Sequence, residues 1–267
     1  MEGQEKKILD YIKCLDGNNV DKAVIAALPP IWVEEQYKET KETVWYKPGG
    51  GFVKASNEFV VECCKKYPDR LIPFGNFNPM LYRSEQFLER EVKRLGLKGI
   101  KLHPPVQAFY PSDPQVVVFA RKAAELGLPI LFHTGPGSIG RDEYAEPKYI
   151  EDLATMVPEA TIIMGHGGRP LSPWIVGKHK NLYIDTSFAN IDLVLWERQS
   201  LGLLGYKLID KNIIKMVGTE KILFASDTDP ELTSFYRRTI DYVKSFEVSD
   251  EEKAMILGGN AKKILGL

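Results

Sequence analysis

The heptapeptide at residues 129–135, PILFHTG, constrains this chain more than any other stretch. Its five residues from Pro129 to His133 are too few for a helix of ordinary length, and residues 121–128 before it read as a helix end closed by Gly127. The parse is helix, tight turn, buried strand, and a histidine where the strand stops. The same grammar recurs three times. TIIMGHGG at 161–168 runs into His166, ILFASDT at 222–228 into Asp227, and GIKLH at 99–103 into Lys101 and His103. Packing alone does not call for acid/base or metal-type side chains at four strand ends. In a parallel β/α architecture those ends share one face, where sites are built.

The rest of the chain follows the same alternation. Further strands are expected at 22–28 (KAVIAAL), 71–78 (LIPFGNFN) and 182–186 (LYIDT). Helices are expected at 5–15, with Ile8, Leu9, Ile12 and Leu15 as the apolar stripe, and at 55–66. Another is expected at 85–95, with Phe87, Leu88, Val92 and Leu95 on one face. Helices at 114–126, 149–156, 191–199, 207–217, 231–245 and 250–257 follow, then a terminal helix at 261–265 capped by Asn260. Residues 104–111 read as a proline-rich loop. Residues 31–52 hold Trp32, Trp45 and several tyrosines and end in three glycines; so long an aromatic loop suggests a lid over substrate or a surface for a second subunit.

With no linker or repeat, the 267 residues are expected to form one domain, an α/β fold of the TIM-type (β/α)8 class. Seven strands are found where a closed barrel has eight, and the chain opens on a helix, so the first strand is the one missing or divergent. The net charge of −1, from 35 basic and 36 acidic residues, gives no electrostatic argument for nucleic acid or an anionic membrane. No apolar run approaches a membrane span, and residues 1–10 carry no signal-peptide pattern. Cys14, Cys63 and Cys64 are odd in number and lack zinc-type spacing, which points to small buried hydrophobes in a reducing, cytoplasmic setting.

GIKLHPPVQAF, FHTG, GHGG, YIDTS, FASDT and the closing ILGGNAKKILGL, in that order, resemble the amidohydrolase superfamily. More narrowly they resemble its amidohydrolase-2 branch, which includes the aminocarboxymuconate-semialdehyde decarboxylase type. The resemblance runs from about residue 20 to residue 267 and implies a metal-dependent (β/α)8 barrel. Such barrels hydrolyse amide or ester-like bonds in small molecules, or decarboxylate aromatic and related acids. His133 matches the family's metal-binding histidine after strand five. His166 matches the histidine after strand six, a catalytic acid/base or further ligand. Asp227 matches the aspartate after strand eight, which binds metal and moves the proton of its water. Imidazole and carboxylate suit zinc, manganese or another divalent ion. Lys101, His103 and Arg169 are the candidates for binding an anionic substrate, with Lys101 carbamylated as a bridging ligand in other branches. Asp185 is a candidate to support the site from behind.

One departure stands against this match. The family carries a His-X-His pair at the end of strand one, and the four histidines here, His103, His133, His166 and His179, are nowhere two apart. Three readings remain open: a start upstream of Met1, a seven-strand variant binding metal weakly, or a barrel that kept the fold and lost catalysis. The expectation is a metal-dependent hydrolase of a small, in the narrower reading carboxylated, molecule. A decarboxylase on the same site is the second enzyme reading, and a binding protein the non-enzyme one. A homodimer is the only protein partner the sequence suggests.

Overall fold

The computed structural model describes residues 2–27, 57–134, 141–168, 171–187, 211–227 and 233–267. Its elements in chain order begin with helix α1 (Glu2–Gly17), strand β1 (Ala23–Ala26), α2 (Asn57–Lys66), β2 (Leu71–Asn76), α3 (Ser84–Leu95) and β3 (Gly99–Leu102). The single turn α4 (Pro104–Gln107) follows, then α5 (Pro114–Glu125), β4 (Ile130–Phe132), α6 (Pro147–Met156), β5 (Ile162–Met164), α7 (Ser172–Lys178) and β6 (Leu182–Asp185). The chain closes with α8 (Lys211–Val217), β7 (Ile222–Leu223), α9 (Thr233–Lys244), α10 (Asp250–Ala254), a π-turn at Met255–Gly259 and α11 (Asn260–Leu265). Each of the seven expected strands is present. The expected lid at 31–52 and helix at 191–199 lie outside the described residues.

The chain divides into two compact units, Val24–Ala160 and Met1–Ala23 with Thr161–Leu267. In the first, β1 to β4 follow in sequence order, and β2, β3 and β4 pair in parallel with Gly75 opposite Ile100 and Ile100 opposite Ile130. Every residue of β3 is buried, as expected for a parallel strand covered on both faces. Gly99 opens that strand because a Cβ there would sit 2.2 Å from the Phe74 ring. Gly96 ends α3 in the left-handed region at φ 70°, its N–H donating to the Val92 carbonyl at 2.8 Å.

Two helix stripes differ from the sequence expectation. In α3 the buried residues are Ser84, Leu88 and Glu91, while Phe87 is 43% exposed and meets Phe77 only edge-on. Glu91 takes the inward place because Arg94, and then Arg90, hydrogen-bond its carboxyl and hold it below the usual carboxylate range. In α1 the buried face is Tyr11, Ile12, Cys14 and Leu15, with Leu9 turned outward. Residues 104–111 are not all loop either, since Pro104 and Pro105 start the turn α4 in the positions where a missing N–H does no harm. All three cysteines are free and buried, and burial pushes the Cys64 thiol up to about 12. Among the described residues no helix is long and apolar enough to cross a membrane.

The second unit packs β5, β6 and β7 in sequence order and in parallel, with Ile162 opposite Leu182 and Ile184 opposite Ile222. The C-terminal segment determines how β7 ends. Ser249 and Glu252 form a reciprocal capping box at the start of α10. The π-turn that follows widens the helix, and the Ile256 carbonyl accepts the Phe224 N–H at 2.9 Å. Asn260 does not cap α11; its backbone is helical and its side chain is buried. There it donates to the carbonyls of Thr219 at 2.7 Å and Ile222 at 2.8 Å. Lys221 likewise donates to the Val176 and His179 carbonyls at the end of α7, at 2.8 and 2.7 Å.

Two outcomes follow. Replacing Asn260 with Ala leaves two carbonyls at β7 without their donor and is expected to remove about 2 to 4 kcal/mol of stability in urea unfolding. Wild-type stability in that variant would show the bonds to be dispensable. Tyr236 is buried against Tyr11 and Ser226, and burial pushes its phenol up to about 12. An acid whose pKa is higher in the folded state loses stability as pH rises from its ordinary value toward the folded one. Folding stability should therefore fall between pH 10 and about 12, and Tyr236→Phe should reduce that fall in unfolding curves taken across the range.

Candidate active site

The polar strand ends form two groups, one in each unit. In Val24–Ala160 the group is Lys101, His103 and His133. Lys101 lies inside β3, 8% exposed, between Asn76 and Leu131 in register, and its carbonyl accepts the Asn76 side-chain amide at 2.7 Å. Asn76 is itself held by Asn57, which accepts its N–H at 2.8 Å and donates to its carbonyl at 3.0 Å. His103 leaves β3 with its N–H on the Gln107 side-chain oxygen at 2.7 Å, while Gln107 donates to the Phe77 carbonyl at 2.7 Å. His133 leaves β4 with its N–H on the Leu102 carbonyl at 2.9 Å. The two imidazoles stack with centroids 3.9 Å apart and planes 10° from parallel. The sequence reading named all three residues but missed Gln107, the residue that fixes His103, although it lies inside the quoted HPPVQAF motif.

In the other unit the group is His166, Asp185, Ser187 and Asp227. His166 follows β5, is 7% exposed, and has φ 63°, with Gly167 and Gly168 continuing in the left-handed region at 65° and 66°. A histidine in that conformation carries strain of about 1 to 3 kcal/mol, which the surroundings must offset. They do so through the end of β6. The Asp185 Oδ1 accepts the His166 N–H at 2.8 Å, the Ser187 N–H at 3.0 Å and the Ser187 hydroxyl at 2.6 Å. The Asp185 carbonyl accepts the Gly167 N–H at 3.0 Å. Ser187 Oγ also lies 3.1 Å from both the His166 N–H and its Nδ1. A Cβ on Gly168 would strike Ser172, so this turn admits only glycine there.

Thr186 works in the opposite direction. Its hydroxyl accepts the Ala225 N–H at 3.0 Å and donates to the Ala225 carbonyl at 3.2 Å, and its own N–H donates to Leu223. The stretch after β7 is thereby held as it leads to Asp227, whose backbone is left-handed at φ 47° and whose carboxyl is 3.9 Å from His166 Nδ1. Asp185 thus holds the His166 turn, and Ser187, unnoticed in the sequence, shares that task. His179 is half-buried after α7 and belongs to neither group. Arg169 lies outside the described residues. Among the described residues no three His, Cys, Asp or Glu side chains form a group that could hold a metal ion.

Residues 45–267 match the amidohydrolase family, far more than half of the chain. The chain belongs to that family. The match falls in the amidohydrolase-2 branch that the motifs resemble. A curated relative, the 2-keto-4-carboxy-3-hexenedioate hydratase of a Sphingobium strain, is 24% identical over 66% of this amidohydrolase, and the match spans 59% of the hydratase's length. Among solved structures, a TIM-barrel protein from Bordetella bronchiseptica is similar with a TM-score of 0.73 at 17% identity, over 98% of this chain and 84% of that one. The 5-carboxyvanillate decarboxylase of Novosphingobium aromaticivorans, solved with manganese and a nitrobenzoic acid, gives 0.66 at 20% identity over 96% and 79%. A probable 2-pyrone-4,6-dicarboxylic acid hydrolase from Acinetobacter baumannii, with citric acid bound, gives 0.62 at 17% over 98% and 89%. The expected α/β class of TIM-barrel type is therefore the fold of this amidohydrolase.

The Asp185 carboxylate is expected to be what keeps the His166 turn closed. In Asp185→Ala the His166 amide should exchange with solvent at least about ten-fold faster, because it loses its 2.8 Å acceptor. Unchanged protection of that amide would show that Asp185 is not needed to close the turn.

Proposed function

We propose that this amidohydrolase is a divalent-metal-dependent hydrolase of a small carboxylated molecule. The observation that carries the reading is the set of strand ends: His103 after β3, His133 after β4, His166 after β5 and Asp227 after β7, in a chain of this family. His133 and Asp227 are each donors whose chemistry suits a divalent ion, zinc and manganese alike. When bound, the ion supplies a water whose pKa falls from about 15.7 to about 7. His166 is the acid/base residue of this reading, which the hydrogen bonds fixing its turn support. Lys101 and His103 receive a substrate carboxylate, with Arg169 as a further anion contact. The names of three similar proteins support the substrate class, since 2-keto-4-carboxy-3-hexenedioate, 5-carboxyvanillate and 2-pyrone-4,6-dicarboxylic acid all carry carboxyl groups. The three free, buried thiols suit a cytoplasmic enzyme.

Decarboxylation by the same residues is the second reading, favoured by the likeness to the 5-carboxyvanillate decarboxylase. Both are tested together. Elemental analysis of the purified chain should find near-stoichiometric divalent metal, falling by about ten-fold or more in His133→Ala. No metal after reconstitution with zinc or manganese, or full loading in the variant, overturns the assignment. With a panel of aromatic and unsaturated carboxylic acids, release of carbon dioxide selects the decarboxylase, and ring or ester opening without it selects the hydrolase.

A further inference from the structure

The hydrogen bonds around His166 determine more than its position. Ser187 has one hydroxyl proton and two lone pairs, and three groups surround its oxygen: Asp185 Oδ1 at 2.6 Å, the His166 N–H at 3.1 Å and His166 Nδ1 at 3.1 Å. The first of these is an acceptor, because the same oxygen already takes the N–H groups of His166 and Ser187. The serine proton therefore goes to Asp185. One lone pair meets the His166 N–H, a donor. The remaining lone pair faces Nδ1, and two facing lone pairs would repel, so Nδ1 must carry a hydrogen. The Asp227 carboxyl, 3.9 Å from the same nitrogen, favours that placement too.

We propose that Ser187, anchored by Asp185, is a positioning residue that fixes His166 as the Nδ1–H tautomer and so makes Nε2 its basic nitrogen. A neutral imidazole presents only one lone pair, and the hydrogen bond at the other nitrogen decides which one. Without a fixed tautomer, part of the population offers an N–H where the reaction needs a base. Asp185 spends its Oδ1 on the backbone and the hydroxyl, and through the serine it reaches the ring. The Asp-Thr-Ser sequence after β6 thus carries a two-step relay of orientation, aspartate to serine to imidazole. Its functional meaning rests on the acid/base role proposed for His166, but the tautomer itself can be read with no substrate and no metal.

The test is a long-range proton–nitrogen correlation spectrum of the full chain with nitrogen-15 histidine, at about pH 9, where ordinary imidazoles are neutral. The chain has four histidines, so the His166 pattern is assigned as the one lost in His166→Gln. In the wild type, Nδ1 is expected at the protonated, pyrrole-type shift and Nε2 at the unprotonated, pyridine-type shift. In Ser187→Ala the pattern should move toward the Nε2–H form that free imidazole side chains favour in water. Ser187→Thr, which keeps a hydroxyl, should restore the wild-type pattern. A pyridine-type Nδ1 in the wild type overturns the proposal, as does an unchanged pattern in Ser187→Ala. If Ser187→Ala does not fold, the wild-type spectrum alone decides. Failure here leaves metal loading and turnover untouched, and failure of the hydrolase reading leaves this spectrum untouched.

Discussion

Three consecutive residues at the end of β6 act on both neighbouring strands. Asp185 and Ser187 reach toward β5 and hold the His166 turn, while Thr186 reaches toward β7 and holds the stretch leading to Asp227. The alternation is that of an extended chain, in which successive side chains point to opposite sides. One short segment can therefore organise two strand ends that are far apart in sequence. His166 and Asp227 adopt left-handed backbone conformations, uncommon for any non-glycine residue although histidine and aspartate enter them more readily than most. The β6 end meets the His166 N–H directly and holds Ala225, two residues ahead of Asp227.

The same economy shapes the other end of β7. That strand has only two residues, too few to be held by its ladder alone. The π-turn and Asn260 give it additional hydrogen-bonding partners, through Ile256 to Phe224 and through Asn260 to Ile222. A π-turn sacrifices regular helix geometry, and here the Ile256 carbonyl meets the Phe224 amide just after β7. Of the two glycines in ILGGN, Gly259 is the tight position, whereas a Cβ on Gly258 would meet nothing within 4 Å. A Cβ on Gly259 would lie 2.5 Å from the Met255 sulfur. The closing motif is thus the structural counterpart of the aspartate ahead of it, since it steadies the strand from which Asp227 emerges.

The strands and their terminal histidines were legible in the sequence because they rest on local information. A short apolar run bounded by glycine or proline, ending in a polar residue, has one reasonable parse. Helix boundaries were less legible. Phe87 was expected in the core and Glu91 was not, because an apolar stripe says nothing of two arginines ready to neutralise a carboxylate. Asn260 looked like a cap because asparagine before a helix usually is one; its partners, Thr219 and Ile222, are some forty residues away. Ser187 and Gln107 were invisible for the same reason. A serine or glutamine gains its role only from what it meets, and the Ser187–His166 pair spans 21 residues.

The two polar groups share a construction. Each histidine at a strand end is fixed first through its backbone: His103 by Gln107, His133 by the Leu102 carbonyl, His166 by Asp185. Ring orientation is then set by a second contact, stacking for His103 and His133 and the serine hydroxyl for His166. Fixing the backbone and the ring separately removes the rotamer freedom that a binding or reacting imidazole would otherwise lose at the moment of use. Each of the three rings is thus constrained twice, once through its backbone and once through the ring itself.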